Sequence, residues 1–430
     1  MEKKSNIQGF HSLDPKKRLE LVAQFAGLTP EERKLLETTG RLDLEHASRM
    51  IENVVGTNEL PLGIATNFLI NGKDYLIPMC IEEPSVVAAA SYAAKLARPA
   101  GGFRADSDEP IMIGQIQIIN VKNMDKAEKR ILSEKESIIQ KANERDSVLI
   151  KFGGGAKDVI VRRINSNIIG PMIVVHLLVD VRDAMGANAV NTMCEAISPY
   201  LEELTGGDVK LKIITNLATE RLARARAVWK KEALEESTKG LMKGGEVVDS
   251  VIAAYSLAEE DKYRCSTHNK GIMNGIDAVV IATGNDFRAV EAGAHSYAAI
   301  SGEYKPLTRY YKDKNGDLVG EIELPIAVGT IGGATRTNPI AGVSLKILGV
   351  KTAKELAQVI ASVGLAQNFA ALRAMSTEGI QTGHMKLHAA NIAITAGAKG
   401  KQIDAVAKRM IEEKNISANC AKEILESLRK

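Results

Sequence analysis

Between residues 111 and 216 the spacing of apolar side chains switches repeatedly between two periods. Residues 111–121 alternate apolar and polar, the period-two pattern of a half-buried strand. Residues 125–150 are dense in charge, yet Ile131, Leu132, Ile138 and Ile139 recur on one helical face. Gly153-Gly154-Gly155 supplies a turn, and the β-branched runs at 158–163 and 172–181 read as two strands. Residues 187–204 return to helical spacing and stop at Gly206-Gly207, and 209–215 forms a last strand. The predicted order is β-α-β-β-α-β, a ferredoxin-like unit.

The flanks read differently. Residues 14–56 suggest short helices, one of them opened by Thr29 as N-cap and Pro30 at N1. Residues 75–80 suggest a strand. Glu83-Pro84-Ser85 then opens an alanine-rich helix running to about Arg98, with Glu83 as N-cap, Pro84 at N1 and Pro99 closing it. After Leu217 helices return. A strand at 278–282 leads into Gly284-Asn285-Asp286 and a helix through Ala299, and residues 307–324 suggest a hairpin around Lys314-Asn315-Gly316. Residues 353–373 are spaced as an amphipathic helix, and a charged helix at 412–430 ends the chain. The expectation is an α+β protein. A large, mainly helical domain (1–110 and 217–375) carries an inserted ferredoxin-like domain (111–216), and 376–430 forms a small C-terminal flap.

Charge and composition narrow the function little. A net charge of +3 over 430 residues is too weak a bias to argue for nucleic acid or a membrane surface, though it suits an anionic small molecule. Cys80, Cys194, Cys265 and Cys420 form no CxxC pair, so neither a disulfide framework nor a zinc knuckle is expected, and a reducing cytoplasm is the default. The N-terminus has no apolar signal-peptide core. The longest apolar run, 171–179, is interrupted by His176 and falls short of the roughly 20 residues a membrane helix needs.

Few motifs carry chemistry alone. There is no P-loop and no GxGxxG, and the glycine-rich segment 328–335 fits neither. Asp183-Ala184-Met185-Gly186-Ala187-Asn188 sits between a strand and a helix, where small residues would let a pyrophosphate approach a helix N-terminus. An ordinary glycine turn with an aspartate cap is the simpler reading. Thr267-His268-Asn269-Lys270-Gly271 and Gly284-Asn285-Asp286-Phe287-Arg288 both look like turns. His384 and His388 would share a helical face, but Met385 stands where an HExxH zinc hydrolase needs its glutamate, so no metal site is expected. Two readings stay open for these histidines: packing and hydrogen bonding, or a general acid on a tail that Gly379 and Gly383 allow to move.

Six stretches taken in order change the picture. Glu52-Asn53-Val54-Val55-Gly56, Glu82-Glu83-Pro84-Ser85, the 183–188 and 267–271 segments, Gly284 to Ala289, and Gly383-His384-Met385 together resemble the 3-hydroxy-3-methylglutaryl-coenzyme A (HMG-CoA) reductase family, in its soluble prokaryotic class II. The likeness runs from about Leu19 to about Ala396. It implies reductive deacylation of HMG-CoA to mevalonate and CoA by two hydrides, through a hemithioacetal and mevaldehyde. It also implies a homodimer or a dimer-based higher oligomer with sites built from two chains, and a nicotinamide cofactor on the small domain. Neither nucleic acid nor a membrane is an expected partner.

The resemblance also assigns roles. Lys270, as a buried ammonium, would stabilise the oxyanion, Asp286 would hold Lys270, and Glu83 would protonate the aldehyde oxygen, the three forming one coupled cluster. His384 would protonate the departing CoA thiolate, leaving His388 to pack or to orient the tail. Arg264, with Ser85 and Asn274, would bind the substrate carboxylate. Asp183, Met185, Gly186, Ala187, Asn188, Asn216 and Gln367 would hold the cofactor. Asp146 would accept from a ribose 2′-hydroxyl and repel a 2′-phosphate, favouring NADH, while neighbouring Arg145 and Lys151 leave NADPH open. His11 lies where CoA phosphates could be met. The alternative is a CoA-dependent acyltransferase or lyase without nicotinamide chemistry, with His384 as base. An RNA-binding module would need aromatics that 172–181 lacks, and a non-catalytic assembly protein would be indifferent to Lys270.

Overall fold

A computed structural model of the protein describes residues 3–40, 42–333, 337–377, 389–413 and 415–428. Two sheets organise them. The strands are β1 (Leu62–Ile70), β2 (Lys73–Cys80), β3 (Phe103–Ser107), β4 (Ile111–Ile119), β5 (Gly155–Ser166), β6 (Gly170–Asp180), β7 (Asp208–Ile214), β8 (Leu222–Trp229), β9 (Thr308–Lys312) and β10 (Leu318–Pro325). Six form a sheet in the order β2-β1-β3-β8-β10-β9, and four form a second in the order β5-β6-β4-β7.

The second sheet is antiparallel throughout, and helices connect β4 to β5 and β6 to β7, so the ferredoxin-like order stands. Its core is separate from that of the larger sheet and is built on Met112, Ile116, Ile131, Val175 and Met193. The charged stretch after β4 is not one helix but three, Met124–Ser133, Lys135–Asn143 and Ser147–Lys151, with Asn123 and Asp146 capping the first and third.

The larger unit is wrapped around the helix Ala353–Ser376. Seventeen of its 24 residues are buried, so it is a core helix rather than the amphipathic one its spacing suggested. Phe369 stacks on Trp229 of β8 with ring centroids 3.9 Å apart. Its other side meets the helix Lys262–Ala282. Small residues make that approach possible: a Cβ on Gly275 would come within 2.8 Å of the Gln367 side chain, and one on Gly364 within 2.9 Å of Ile276.

Several predicted elements are corrected. Residues 278–282 are the last turn of Lys262–Ala282, not a strand; Ala278, Val279 and Val280 are fully buried, and a short buried apolar run has no periodicity to separate helix from strand. Thr267 to Gly271 lies mid-helix rather than in a turn. β1, β3 and β8 were not anticipated. The alanine-rich helix begins at Val86 with Ser85 as N-cap, so Glu83 is not a cap and Pro84 is not at N1. The charged C-terminal segment holds two helices, Lys401–Glu412 and Ala418–Ser427, which bury Val406, Met410, Ile424 and Leu425 in a small core of their own. Among the described residues no helix is long and apolar enough to cross a membrane.

Candidate active site

The Lys262–Ala282 helix is held in rotation by two inward side chains. His268 is 1% exposed and shares a 2.7 Å hydrogen bond between Nε2 and the Thr308 hydroxyl. Burial pushes its pKa down to about 3, so the ring is neutral at physiological pH. Asn269 donates to the Lys305 carbonyl and accepts from the Leu307 N–H, each at 3.0 Å. With 268 and 269 committed to the core, position 270 faces out.

There Lys270 Nζ lies 2.8 Å from Glu83 Oε2. Asn274, one turn further along the same face, donates to that same oxygen at 3.3 Å. Glu83 can reach them because Ser85 adopts a left-handed conformation (φ 73°), turning the chain between β2 and the Val86–Ala97 helix so that Glu83 stays outside the helix. Its second oxygen, Oε1, has no hydrogen-bond partner among the described residues. Glu83 and Ser85 also line a cleft of about 2280 Å³ whose walls carry His11, Lys16, Arg18 and Lys95. A carboxylate–ammonium pair at one end of a basic cleft can move a proton and neutralise an oxyanion beside an anionic ligand.

Two expectations change within the single chain. Lys270 is not buried; its side chain is 60% exposed. Asp286 does not join the pair. It caps the helix Phe287–Ala298, accepting from the N–H groups of Arg288 and Ala289 at 3.0 and 3.2 Å, and it pairs with the Arg288 guanidinium. The free amides of a helix start compete successfully for an aspartate at that position.

Arg264 sits in the first turn of the Lys262–Ala282 helix, half-buried, with no hydrogen bond from its guanidinium to any described residue. Burial lowers its pKa from the ordinary arginine value. Six positions from Lys270, it points about 120° away around the helix.

The expected cofactor residues fall at several places. Gly186 (φ 102°) is N-cap of the helix Ala187–Thr205, with no side chain capping that helix's amides; Met185 precedes it, and Ala187 and Asn188 form the first turn. A Cβ at Gly186 would come within 2.5 Å of the Val181 side chain. Asp183 is engaged elsewhere, its carboxylate accepting from Ala353 N–H at 2.8 Å where the central helix begins. Asp146 spends one oxygen capping Leu149 N–H at 2.8 Å. The carbonyl of Asn216 packs against Gly293. Gln367 is 6% exposed, and its buried Oε1 has no hydrogen-bond partner among the described residues. His384 and His388 lie outside the described residues. Sequence reasoning gave no role to Arg221, Asn285 or Gly329, which bind the 183–186 turn to the larger unit; Asn285 falls in the Gly284–Ala289 stretch and Gly329 in the glycine-rich segment 328–335, while Arg221 stands in no motif.

The profile of the family Hydroxymethylglutaryl-coenzyme A reductase matches residues 14–389. The chain is 60% identical over 425 residues to the 3-hydroxy-3-methylglutaryl-coenzyme A reductase of Archaeoglobus fulgidus, covering 99% of this chain and 95% of that protein. A probable reductase of the same kind from Borreliella burgdorferi is 39% identical, covering 79% of this chain and 76% of the relative. Among solved structures, the class II reductase of Streptococcus pneumoniae bound to NADPH in open conformations superimposes with a TM-score of 0.81 at 42% identity, covering 97% of this chain and 100% of that one. With the profile spanning most of the sequence and a relative aligned along nearly all of it, the chain belongs to the hydroxymethylglutaryl-coenzyme A reductase family.

Proposed function

We propose that this protein reduces HMG-CoA to mevalonate and CoA with two equivalents of a reduced nicotinamide cofactor, at a centre built on Glu83, Lys270 and Asn274. Family membership supports the reaction, and the 2.8 Å contact between Lys270 and Glu83 carries the assignment of the site. The acyltransferase or lyase alternative finds no support in the comparisons.

The residues fit a dinucleotide. The Ala187–Thr205 helix presents first-turn amides that no side chain caps, behind a glycine whose Cβ would strike Val181. Such a terminus suits a diphosphate. Met185, Gly186, Ala187 and Asn188 would hold it, with Asp183, Asn216 and Gln367 shaping the surroundings. The cofactor supplies hydride.

The chain's own groups do the rest. Lys270 donates to the oxygen that becomes anionic when the thioester carbonyl is attacked, and again at the aldehyde. Glu83, hydrogen-bonded to Lys270 through one oxygen and without a described partner at the other, delivers a proton to the aldehyde oxygen from its acid form and is left as the carboxylate. Asn274 fixes the Glu83 carboxyl plane. Arg264, whose guanidinium has no partner among the described residues, is available to the substrate carboxylate, with Ser85 as a polar partner. The cleft past His11 takes the CoA phosphates. His384 protonates the CoA thiolate, a role the family resemblance assigns.

We further propose a homodimer or dimer-based oligomer with shared sites, which gives Asp286 a route to Lys270 that the single chain does not. In this division of labour 1–110 and 217–375 bind substrate, 111–216 binds cofactor, and 376–430 closes the site. NADH is the proposed preference, because the Asp146 carboxylate would repel a 2′-phosphate.

The test is absorbance at the reduced-nicotinamide band with HMG-CoA and NADH or NADPH in parallel, alongside thiol titration of released CoA. Two cofactors oxidised per CoA is the expected result. Folded protein that releases CoA without oxidising either cofactor would overturn the reading. Faster turnover with NADPH would overturn the Asp146 assignment alone.

A further inference from the structure

The turn at 183–186 is fastened to the larger unit at three points. Thr330 and Ile331 N–H groups donate to the Asp183 carbonyl at 2.8 and 3.3 Å. The Asp183 carboxylate accepts from Ala353 N–H at 2.8 Å. Arg221 supplies the third. It is 5% exposed, yet among the described residues its guanidinium pairs with no carboxylate; it donates to the carbonyls of Ala184 (3.3 Å), Met185 (3.2 Å) and Val328 (2.5 Å). Burial brings its pKa down to about 10, with Asp180 and Asp183 pulling the other way, so it is charged at neutral pH. A buried arginine that spends its donors on backbone oxygens of two segments serves to fix those segments.

The trans peptide geometry gives this a consequence. In each peptide plane the C=O and the next N–H point in opposite directions. Carbonyls 184 and 185 turn toward Arg221, so the N–H groups of Met185 and Gly186 turn away from it. The Met185 N–H faces Ile331 across the parallel bridge between Ala184 and Ile331, whereas the Gly186 N–H donates to no backbone or side-chain group among the described residues. The free Gly186 amide runs directly into the first turn of the Ala187–Thr205 helix, which has no side-chain cap among the described residues.

Gly329 seals the junction from the other side. A Cβ there would lie 2.7 Å from Met185 N and 3.0 Å from the Asp183 oxygen. Asn285 holds Gly329 through both its polar atoms, accepting from the Gly329 N–H at 2.7 Å and donating to its carbonyl at 3.1 Å.

We propose that Arg221 is a positioning residue for the cofactor: by holding the Ala184 and Met185 carbonyls it fixes the turn so that the Gly186 amide is presented as a donor to an anionic dinucleotide. This rests on the reading that the 183–188 segment binds the cofactor.

Three measurements test it. In the unaltered protein, hydrogen exchange at Gly186 should slow when NADH or NADPH is added. Arg221→Lys keeps the charge but loses the fork that reaches two segments. Calorimetric titration should show its Kd for NADH raised at least about ten-fold, the loss of one charge-assisted hydrogen bond, with the Kd for HMG-CoA within about two-fold of the parent. Gly329→Ala leaves Arg221 intact, displaces the same turn, and should weaken the cofactor selectively in the same way; it carries the test where the arginine variant does not fold. A cofactor Kd unchanged in both variants, or HMG-CoA weakened equally with NADH, overturns the proposal. So does cofactor binding to the unaltered protein without slowed exchange at Gly186. If the unaltered protein binds neither NADH nor NADPH, the functional reading itself fails and this proposal falls with it.

Discussion

The Glu83–Lys270–Asn274 cluster and the junction around the 183–186 turn are built on opposite plans. At the first, a few side chains meet in the open: Lys270 is 60% exposed, Glu83 37%, and one carboxylate oxygen is unused. At the second, a buried guanidinium and an amide clamp backbone groups, with few valences left over. Proton transfer requires free donors and acceptors that a substrate can reach. Positioning requires the reverse, because a group left free to rotate cannot aim its neighbours. Removing side chains in the two regions should therefore fail in different ways.

The largest effect belongs to the open cluster. Lys270→Met should lower kcat by about 10²–10³-fold, as expected for loss of an oxyanion donor. Its melting temperature should barely move, since an exposed ion pair contributes only about 0–1 kcal/mol. Steady-state kinetics and calorimetry on one preparation separate the two. Next comes the closed junction. Asn285→Ala leaves the Gly329 N–H and C=O without the partners they have now, and should destabilise the fold by about 1–3 kcal/mol. Denaturant titration reads this; a loss confined to kcat would erase the contrast between the regions.

A smaller effect is expected at the cofactor's edge. Asp146→Ser removes the carboxylate and keeps a helix-capping oxygen. The ratio of kcat/KM for NADPH over NADH should rise several-fold, on the order of 1 kcal/mol, and an unchanged ratio would remove Asp146 from cofactor choice. The smallest is a change of slope with pH. Burial, with Glu291 beside it, pushes Asp277 up to about 8. An unfolded aspartate titrates near 4, so between about pH 4 and 8 the folded chain holds a proton the unfolded chain has lost. Stability contributed by this group is full below that window and falls as pH rises through it. Melting temperatures from pH 5 to 8 should decline less steeply in Asp277→Asn.

How far the sequence disclosed this architecture differs by region. The ferredoxin-like unit was readable because its strands alternate and glycines stand at its turns. The six-stranded sheet was not. β8 reads Leu-Ala-Arg-Ala-Arg-Ala-Val-Trp, a period-two pattern written in residues that favour helix. Its small alanines leave room for the central helix above, a tertiary reason local propensity does not carry. Lys262–Ala282 reads in sequence as a turn at 267–271 and a strand at 278–282, because neither its polar middle nor its apolar end shows a helical period alone. Gly275 is there to admit the central helix, and Asn269 to hold the chain at 305–307. Glu83 looked like a cap because Pro84 follows it, and only the left-handed Ser85 shows otherwise. The site's residue types came through by family resemblance. Which of them meet did not: Asp286 is absent from the Lys270 pair, and Arg221 stands outside every motif.

The most direct test of the account compares Lys270→Met with Arg221→Lys, measuring kcat and the calorimetric Kd for NADH in each. Loss of kcat with cofactor affinity intact in the first, and loss of affinity with kcat at saturating NADH largely retained in the second, is the predicted result. Loss of the same parameter in both variants, or full turnover by Lys270→Met, would contradict the separation of chemistry from positioning.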